Sequence, residues 1–190
     1  MTRIVAGEWG GRRIKVPSSG VRPTSERVRE SICNRLEHLT GGLAGLRVID
    51  IYAGSGAVGL ELLSRGASEA VFVERDRGAL TVLRANVASL SADSVEILAI
   101  SAEQAAEKCR KQFNIVFLDP PYDQPTSQVR SVLQGLLQEE RIAPDSLVVV
   151  ESRRRSSSWE WPGEILPLDH RDSGDTRVWY GRTSPFPATE

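Results

Sequence analysis

Cysteine and histidine are scarce in this chain of 190 residues, which carries only two of each. Cys33 and Cys109 stand alone, with no CxxC, and His38 and His170 complete no ligand set with them. That spacing argues against a zinc site and against a disulfide framework, and predicts two half-buried free thiols in a reducing cytoplasm. No apolar run approaches the roughly 18 residues that cross a bilayer. The opening MTRIVAGEWGGRR lacks the apolar stretch of a secretory signal, so the expected location is cytoplasmic, without membrane contact. Internal repeats and low-complexity segments are absent too. The net charge of −1 shows no excess of either sign, so the total alone does not point to nucleic acid.

What is present is an ordinary globular mix, 40% hydrophobic and 26% charged, long enough for one domain and a modest extension. Charge is unevenly placed. Residues 1–40 hold eight Lys/Arg against four Glu, so a basic leader precedes a mildly acidic body. Within the leader, Arg3-Ile-Val-Ala and Arg12-Arg-Ile-Lys-Val read as short strands around the turn Gly7–Gly11. Thr24 or Ser25 caps a helix to about Leu39, with Val28, Ile32, Arg35, Leu36 and Leu39 on its inner face. Residues 1–42 are therefore expected to form a basic hairpin and helix, 43–184 the main domain, and 185–190 a tail. Arg3, Arg12, Arg13, Arg22, Arg27 and Arg29 are the candidate phosphate contacts.

The body is organised around LRVIDIYAGSGAVGLE, residues 46–61. A β-branched apolar run leads into Gly54, Gly56 and Gly59, and a helix can follow through Leu60 to Ser64. Strand, glycine turn and helix bring backbone N–H groups up to a nucleotide-like cofactor. Downstream, Glu69–Glu74 reads as a second strand ending in an acid that suits two ribose hydroxyls. Asp76 caps a helix to about Leu90; Val95–Ile100 is a third strand, and Ser101 opens a third helix near the adenine position. Strands over 115–118 and 147–151, a helix over 126–138, and an antiparallel pair at 164–169 and 176–181 complete the pattern. The fold class is α/β: a doubly wound, mostly parallel sheet with a small N-terminal β-hairpin and helix.

Asp50 and the run Asp119-Pro120-Pro121-Tyr122 turn the reading away from a nicotinamide enzyme. Asp50 lies four residues before Gly54 and can hold a cationic group such as an ammonium. At the end of an apolar strand, Asp119 can accept one hydrogen of a base amine and the Pro120 carbonyl the other. Pro121 stiffens the turn, and Tyr122 offers a stacking face. These residues suit methyl transfer to an exocyclic amine of an unstacked base. A cytosine-C5 mechanism needs a thiolate in a catalytic loop, and neither cysteine sits in one.

Four blocks, MTRIVAGEWGGRRIKVP, RPTSERVRESICN, DIYAGSGAVGLELLSRGA and FLDPPY, resemble the RsmD-type 16S rRNA guanine-N2 methyltransferases. The resemblance implies a seven-stranded class I methyltransferase sheet and S-adenosylmethionine as methyl donor, leaving S-adenosylhomocysteine, with no metal. It implies 16S rRNA in a small ribosomal subunit or assembly intermediate as partner, with the enzyme a monomer. By position, Asp50, Tyr52, Gly54, Ser55, Gly56, Glu74, Arg75, Ser101 and Ala102 would bind the cofactor, and Asp119 to Tyr122 the target base. Two positions depart from the family: Ser101 stands where Asp or Asn is usual, and Tyr52 where Phe is usual. Other readings are a methyltransferase acting on adenine N6, a DNA base or a protein glutamine amide, a non-catalytic RNA-binding relative and, most distantly, an NAD oxidoreductase.

Overall fold

Five β-branched apolar runs and a C-terminal hairpin build one seven-stranded sheet in the order β5-β4-β3-β6-β7-β9-β8. The computed structural model describes residues 1–17, 25–155 and 159–185; Arg22, Thr24 and the 186–190 tail fall outside them. The strands are β3 (Arg47–Ile51), β4 (Glu69–Val73), β5 (Val95–Leu98), β6 (Phe113–Leu118), β7 (Ile142–Arg153), β8 (Ile165–Ser173) and β9 (Thr176–Thr183). β3 to β7 run parallel, whereas β9 pairs antiparallel with both β7 and β8. The chain winds outward from β3 to β5, then returns to lay β6 against the other side of β3. A sheet that reverses direction this way opens a crevice at the strands' carboxyl ends, between β3 and β6.

Helices cover both faces. α1 (Glu26–Thr40), α2 (Ala57–Ser64) and α3 (Arg77–Leu90) pack on one face; α4 (Ala105–Lys108) and α5 (Thr126–Gln138) pack on the other. Side-chain alternation along β3 feeds both cores: Val48 joins the first, Ile49 and Ile51 the second. Ser25 caps α1 by accepting the Val28 N–H at 3.2 Å, and Gly41, at φ 71°, ends it. The expected third helix is only a 3-10 turn, Ala102–Gln104, followed by the single turn of α4.

The leader is bonded into this body. β1 (Thr2–Arg3) pairs with β2 (Arg13–Ile14), and the hairpin's Ile4, Trp9 and Ile14 share a core with Leu60, Leu62 and Phe72. Its turn lies on the C-terminal end of α2, where Glu8 N–H donates to the Ser64 carbonyl at 2.7 Å and Trp9 N–H to Ser64 Oγ at 2.9 Å. Gly7, at φ 81°, is required there: a Cβ would stand 1.8 Å from the Ser64 carbonyl oxygen.

Two further expectations change. The turn expected over 171–175 shrinks to Gly174 and Asp175, because β8 stays paired through Ser173↔Thr176 and Gly174 supplies the positive φ of a two-residue hairpin. Cys33 and Cys109 are fully buried rather than half-buried, and burial raises both thiol pKa values, Cys109 to about 11.

Candidate active site

The glycine loop leaves β3 at its carboxyl end and turns into α2. Gly54 and Gly56 both have positive φ, 55° and 77°. A Cβ on Gly56 would meet Leu83 Cδ1 at 2.3 Å, so the loop lies against the α3 packing layer. Ser55 is buried, and its carbonyl accepts from Asn86 Nδ2 at 2.9 Å. The same Asn86 amide bonds the Lys15 backbone at both its oxygen and its nitrogen, which ties the leader to the loop through α3.

Asp50 takes a different position from the one expected. It alternates with Ile49 and Ile51, so its carboxylate turns under α2 rather than toward a ligand. It accepts the Gly59 N–H at 3.0 Å, is 2% exposed, and is absent from the residues that line the crevice. Its role here is to hold the glycine loop from behind. Burial raises its pKa well above the ordinary carboxylate value, the Gly59 hydrogen bond opposes this, and the charges of Asp119 and Glu74 add to the rise.

The crevice is a cavity of about 1050 Å³. Gly54, Glu74, Arg75 and Ala102 line it together with Asp119, Pro120, Pro121 and Tyr122, although they come from four different strand ends. Glu74 Oε2 accepts the Gly54 N–H at 2.8 Å, and Oε1 accepts the N–H groups of Arg75 and Asp76, each at 2.8 Å. Those bonds fix the carboxylate and leave it lone pairs for a pair of hydroxyls. Val73, Ile100 and Ala102 add apolar wall suited to a flat base. Tyr52, at φ 65°, also lines the cavity, and its hydroxyl is buried without a hydrogen-bond partner among the described residues. Burial, and then the charge of Glu103, push this phenol up to about 12. An adenosine fits this donor set: an apolar slot, a fixed carboxylate, a glycine cradle and a hydroxyl awaiting an acceptor or donor.

Ser101 does not line the cavity, unlike its neighbours Ala102 and Glu103. Its N–H is taken by Gln104 Oε1 at 3.2 Å, and its hydroxyl helps hold the Glu103 carboxyl below the usual range, after Glu103's own backbone N–H. Ser101, expected at the adenine, works instead as the cap of the 3-10 turn, and Ala102 and Glu103 form the cavity wall beside it.

At the other end of the cavity, the turn after β6 is closed by the Gln124 N–H donating to the Pro121 carbonyl at 2.9 Å. The Pro120 carbonyl lies outside that bond. Asp119 stays half-buried at the strand end, with its N–H 3.4 Å from the Ile51 carbonyl across the switch point. Tyr122 is 38% exposed, and the Arg153 guanidinium stands over its ring, 4.2 Å from the centroid. In the sequence, Arg153-Arg154-Arg155 followed by Trp159 and Trp161 reads equally as an RNA-facing basic rim or as a solvated loop with locally packed tryptophans, and the Arg153–Tyr122 contact is not legible in it. The tryptophans pack locally: Trp159 is buried, the two rings meet edge to face, and Trp161 packs on Gly181.

The leader's arginines divide into two groups. Arg29 is wholly buried, 3.5 Å from Glu61 and bonded to the Arg3 carbonyl and Thr2, so no phosphate reaches it. Its place on the inner face of α1, one residue from Val28, explains the burial. Arg12 donates to the Ser89 and Leu90 carbonyls at the end of α3 but remains exposed. Arg3 pairs with Glu26 at 3.2 Å, and Arg13 and Arg27 are exposed.

Comparison with known proteins places this geometry. The family model described as Conserved hypothetical protein 95 matches residues 2–182. Ribosomal RNA small subunit methyltransferase D of Escherichia coli strain K12 is 36% identical over 151 residues, 79% of this chain and 74% of that protein. YlbH of Bacillus subtilis is 31% identical over 181 residues, 93% of this chain and 96% of its own length. The solved structure of yhhF from Escherichia coli superposes with a TM-score of 0.85 at 29% identity, covering 97% of this chain and 99% of that one.

Proposed function

The chain belongs to the family described as Conserved hypothetical protein 95, and on that premise we propose that it methylates the exocyclic N2 amine of a guanine in 16S ribosomal RNA. The methyl donor is S-adenosylmethionine. One observation carries the reading: the Asp119–Tyr122 turn opens into the same cavity as the glycine loop and Glu74, so a nucleoside cofactor and a planar amine can meet there. The relatives named as rRNA methyltransferases support the RNA substrate.

When bound, S-adenosylmethionine supplies an electrophilic methyl on a sulfonium. This chain's residues do the rest by placement. Glu74 would hold the ribose hydroxyls, with Gly54 on the cavity wall beside it, while Gly56 lets the loop pack down on Leu83. An exocyclic amine is a weak nucleophile because its lone pair is delocalised into the ring. Asp119 accepts one N2 hydrogen and the Pro120 carbonyl the other, which turns the lone pair toward the methyl. Once methylated, the amine would shed its surplus proton through Asp119 to solvent. Tyr122 receives the unstacked base on its ring. The exposed leader arginines, Arg3, Arg12, Arg13 and Arg27, contact RNA phosphates on a small subunit or its assembly intermediate. The protein acts as a cytoplasmic monomer. No helix among the described residues is long and apolar enough to cross a membrane.

Labelled S-adenosylmethionine, incubated with small ribosomal subunits from cells lacking the gene and digested to nucleosides, tests this. N2-methylguanosine is expected. Asp119→Ala should keep S-adenosylhomocysteine binding and lose roughly 100-fold or more of the transfer rate. Label in another nucleoside, or undiminished transfer by the variant, refutes the substrate or the role of Asp119 respectively.

A further inference from the structure

We propose that Arg153, at the end of β7, selects guanine over adenine by reading the O6 and N7 edge of the target base. This inference rests on the guanine reading above and deepens it, because an Asp-Pro-Pro-Tyr turn by itself accepts the amine of either purine.

The geometry singles out this arginine. Its guanidinium lies 4.2 Å from the centroid of the Tyr122 ring, and it lines the cavity with Asp119 and Pro120. The neighbouring arginines of the C-terminal strands are committed to carboxylates, Arg154 and Arg177 to Asp172 at 3.3 and 2.6 Å and Arg182 to Asp145 at 2.9 Å, and the other arginine in the cavity lining, Arg75, sits beside Glu74 at the cofactor end. Among the described residues, the Arg153 head has no ion pair or hydrogen bond, only the ring. Its backbone is fixed, since Arg153 pairs with Thr176 in the β7–β9 ladder and the next N–H, of Arg154, donates to the Asp175 carbonyl at 2.8 Å. A fixed stem with an uncommitted head, already resting where a base would stack, is placed to trade the ring for the edge of that base.

The chemistry of the edge supplies the selectivity. A guanine with N2 at Asp119 turns O6 and N7 away from the reacting nitrogen, and both atoms are acceptors. The arginine fork carries donors only. Adenine held in the same orientation would set its N6 donor against the arginine donors, and adenine turned to put N6 at Asp119 has no exocyclic oxygen left to offer the fork. One residue at this position therefore favours one purine over the other in either orientation.

The test uses the full chain saturated with S-adenosylhomocysteine and titrated calorimetrically with guanosine, inosine and adenosine 5′-monophosphates. All three carry the same phosphate, and inosine keeps O6 and N7 without the N2 amine. The unmodified protein should bind the guanosine and inosine nucleotides about tenfold more tightly than the adenosine nucleotide. Arg153→Ala should bring the three to within about twofold of each other, with S-adenosylhomocysteine affinity unchanged. Equal or undetectable binding of the three to the unmodified protein overturns the proposal. So does a variant that weakens all three by one factor, the signature of a phosphate contact. Nucleoside analysis of labelled subunits separates the two levels. N2-methylguanosine with an unchanged purine ratio in the variant removes Arg153 alone, whereas N6-methyladenosine removes the guanine reading and Arg153 with it.

Discussion

Two clusters of charge, one under the N-terminal hairpin and one around the cavity, do opposite work. Under the hairpin, Glu61 is wholly buried and fully used: it accepts Val5 N–H at 2.8 Å, Ala6 N–H at 3.0 Å and Arg65 Nε at 3.0 Å, and faces Arg29 at 3.5 Å. Around the cavity, Glu74 and Asp119 line the wall together with Arg75 and Arg153, and Asp50 lies behind the glycine loop, its pKa raised chiefly by burial and further by the charges of Asp119 and Glu74. The first cluster has balanced its charges within the fold. The second keeps charged groups of both signs on an open wall, where the sulfonium, ammonium and carboxylate of S-adenosylmethionine can meet them. Charge content alone therefore says little about binding; what matters is whether the charges are sealed inside the fold or face a cavity.

The strongest way to break this comparison is Glu61→Ala. It leaves the buried Arg29 guanidinium without a carboxylate, orphans two backbone N–H groups and takes from Arg65 one of its two acidic partners, at a cost of about 3–5 kcal/mol. Thermal unfolding should show a fall in melting temperature on the order of 10 °C, while the folded fraction still binds S-adenosylhomocysteine. An unchanged melting temperature would mean that the hub does not hold the hairpin.

The second prediction concerns pH. The folded pKa of Asp50 is raised, so the apo fold binds this proton more tightly than the unfolded chain. Its contribution to stability is present at low pH and is lost as pH climbs from the unfolded value, about 3.9, through the folded one. A bound cation favours the ionised carboxylate, so S-adenosylmethionine affinity should rise over the same climb. The slope approaches tenfold per pH unit at most, and Asp50→Asn should flatten it. Calorimetry across pH, in buffers of differing ionisation enthalpy, reads both the slope and the released proton.

The smallest effect is expected from Arg12→Ala combined with Arg13→Ala. These exposed arginines should change neither cofactor affinity nor purine preference, but should lower the salt dependence of binding to ribosomal subunits by about two units of slope. A parallel loss of cofactor affinity would place them with the inward cluster instead.

The glycine loop, the strand-end acid Glu74 and the Asp119–Tyr122 turn were legible because their chemistry depends on order and spacing along the chain. Alternation along β3 could also have been read: with Ile49 and Ile51 on one face, Asp50 must lie on the other, under α2, and not toward the ligand. Glu61 gave a local sign, a single acid in α2 with Arg65 one turn on, though the two backbone N–H groups it holds lie more than 50 residues away. The Arg153–Tyr122 contact had no local sign at all, since it joins the ends of two parallel strands brought together by the sheet order. Arg29 was expected at an RNA phosphate because helical periodicity counts an arginine as outward and polar, while its long stem can lie on an inner face when a carboxylate waits there.

The hairpin that caps α2 sets an order of events during synthesis. Its acceptors, Glu61 and Ser64, lie 55 or more residues downstream of the groups they hold. At about 5–20 residues per second, the first strands leave the ribosome roughly 3 to 11 seconds before their partners do. Until then Ile4, Trp9 and Ile14 have no core to enter. The beginning of the chain thus waits for α2 before it becomes native, and an extension fused ahead of Met1 would act on a segment that leaves the ribosome well before its partners do.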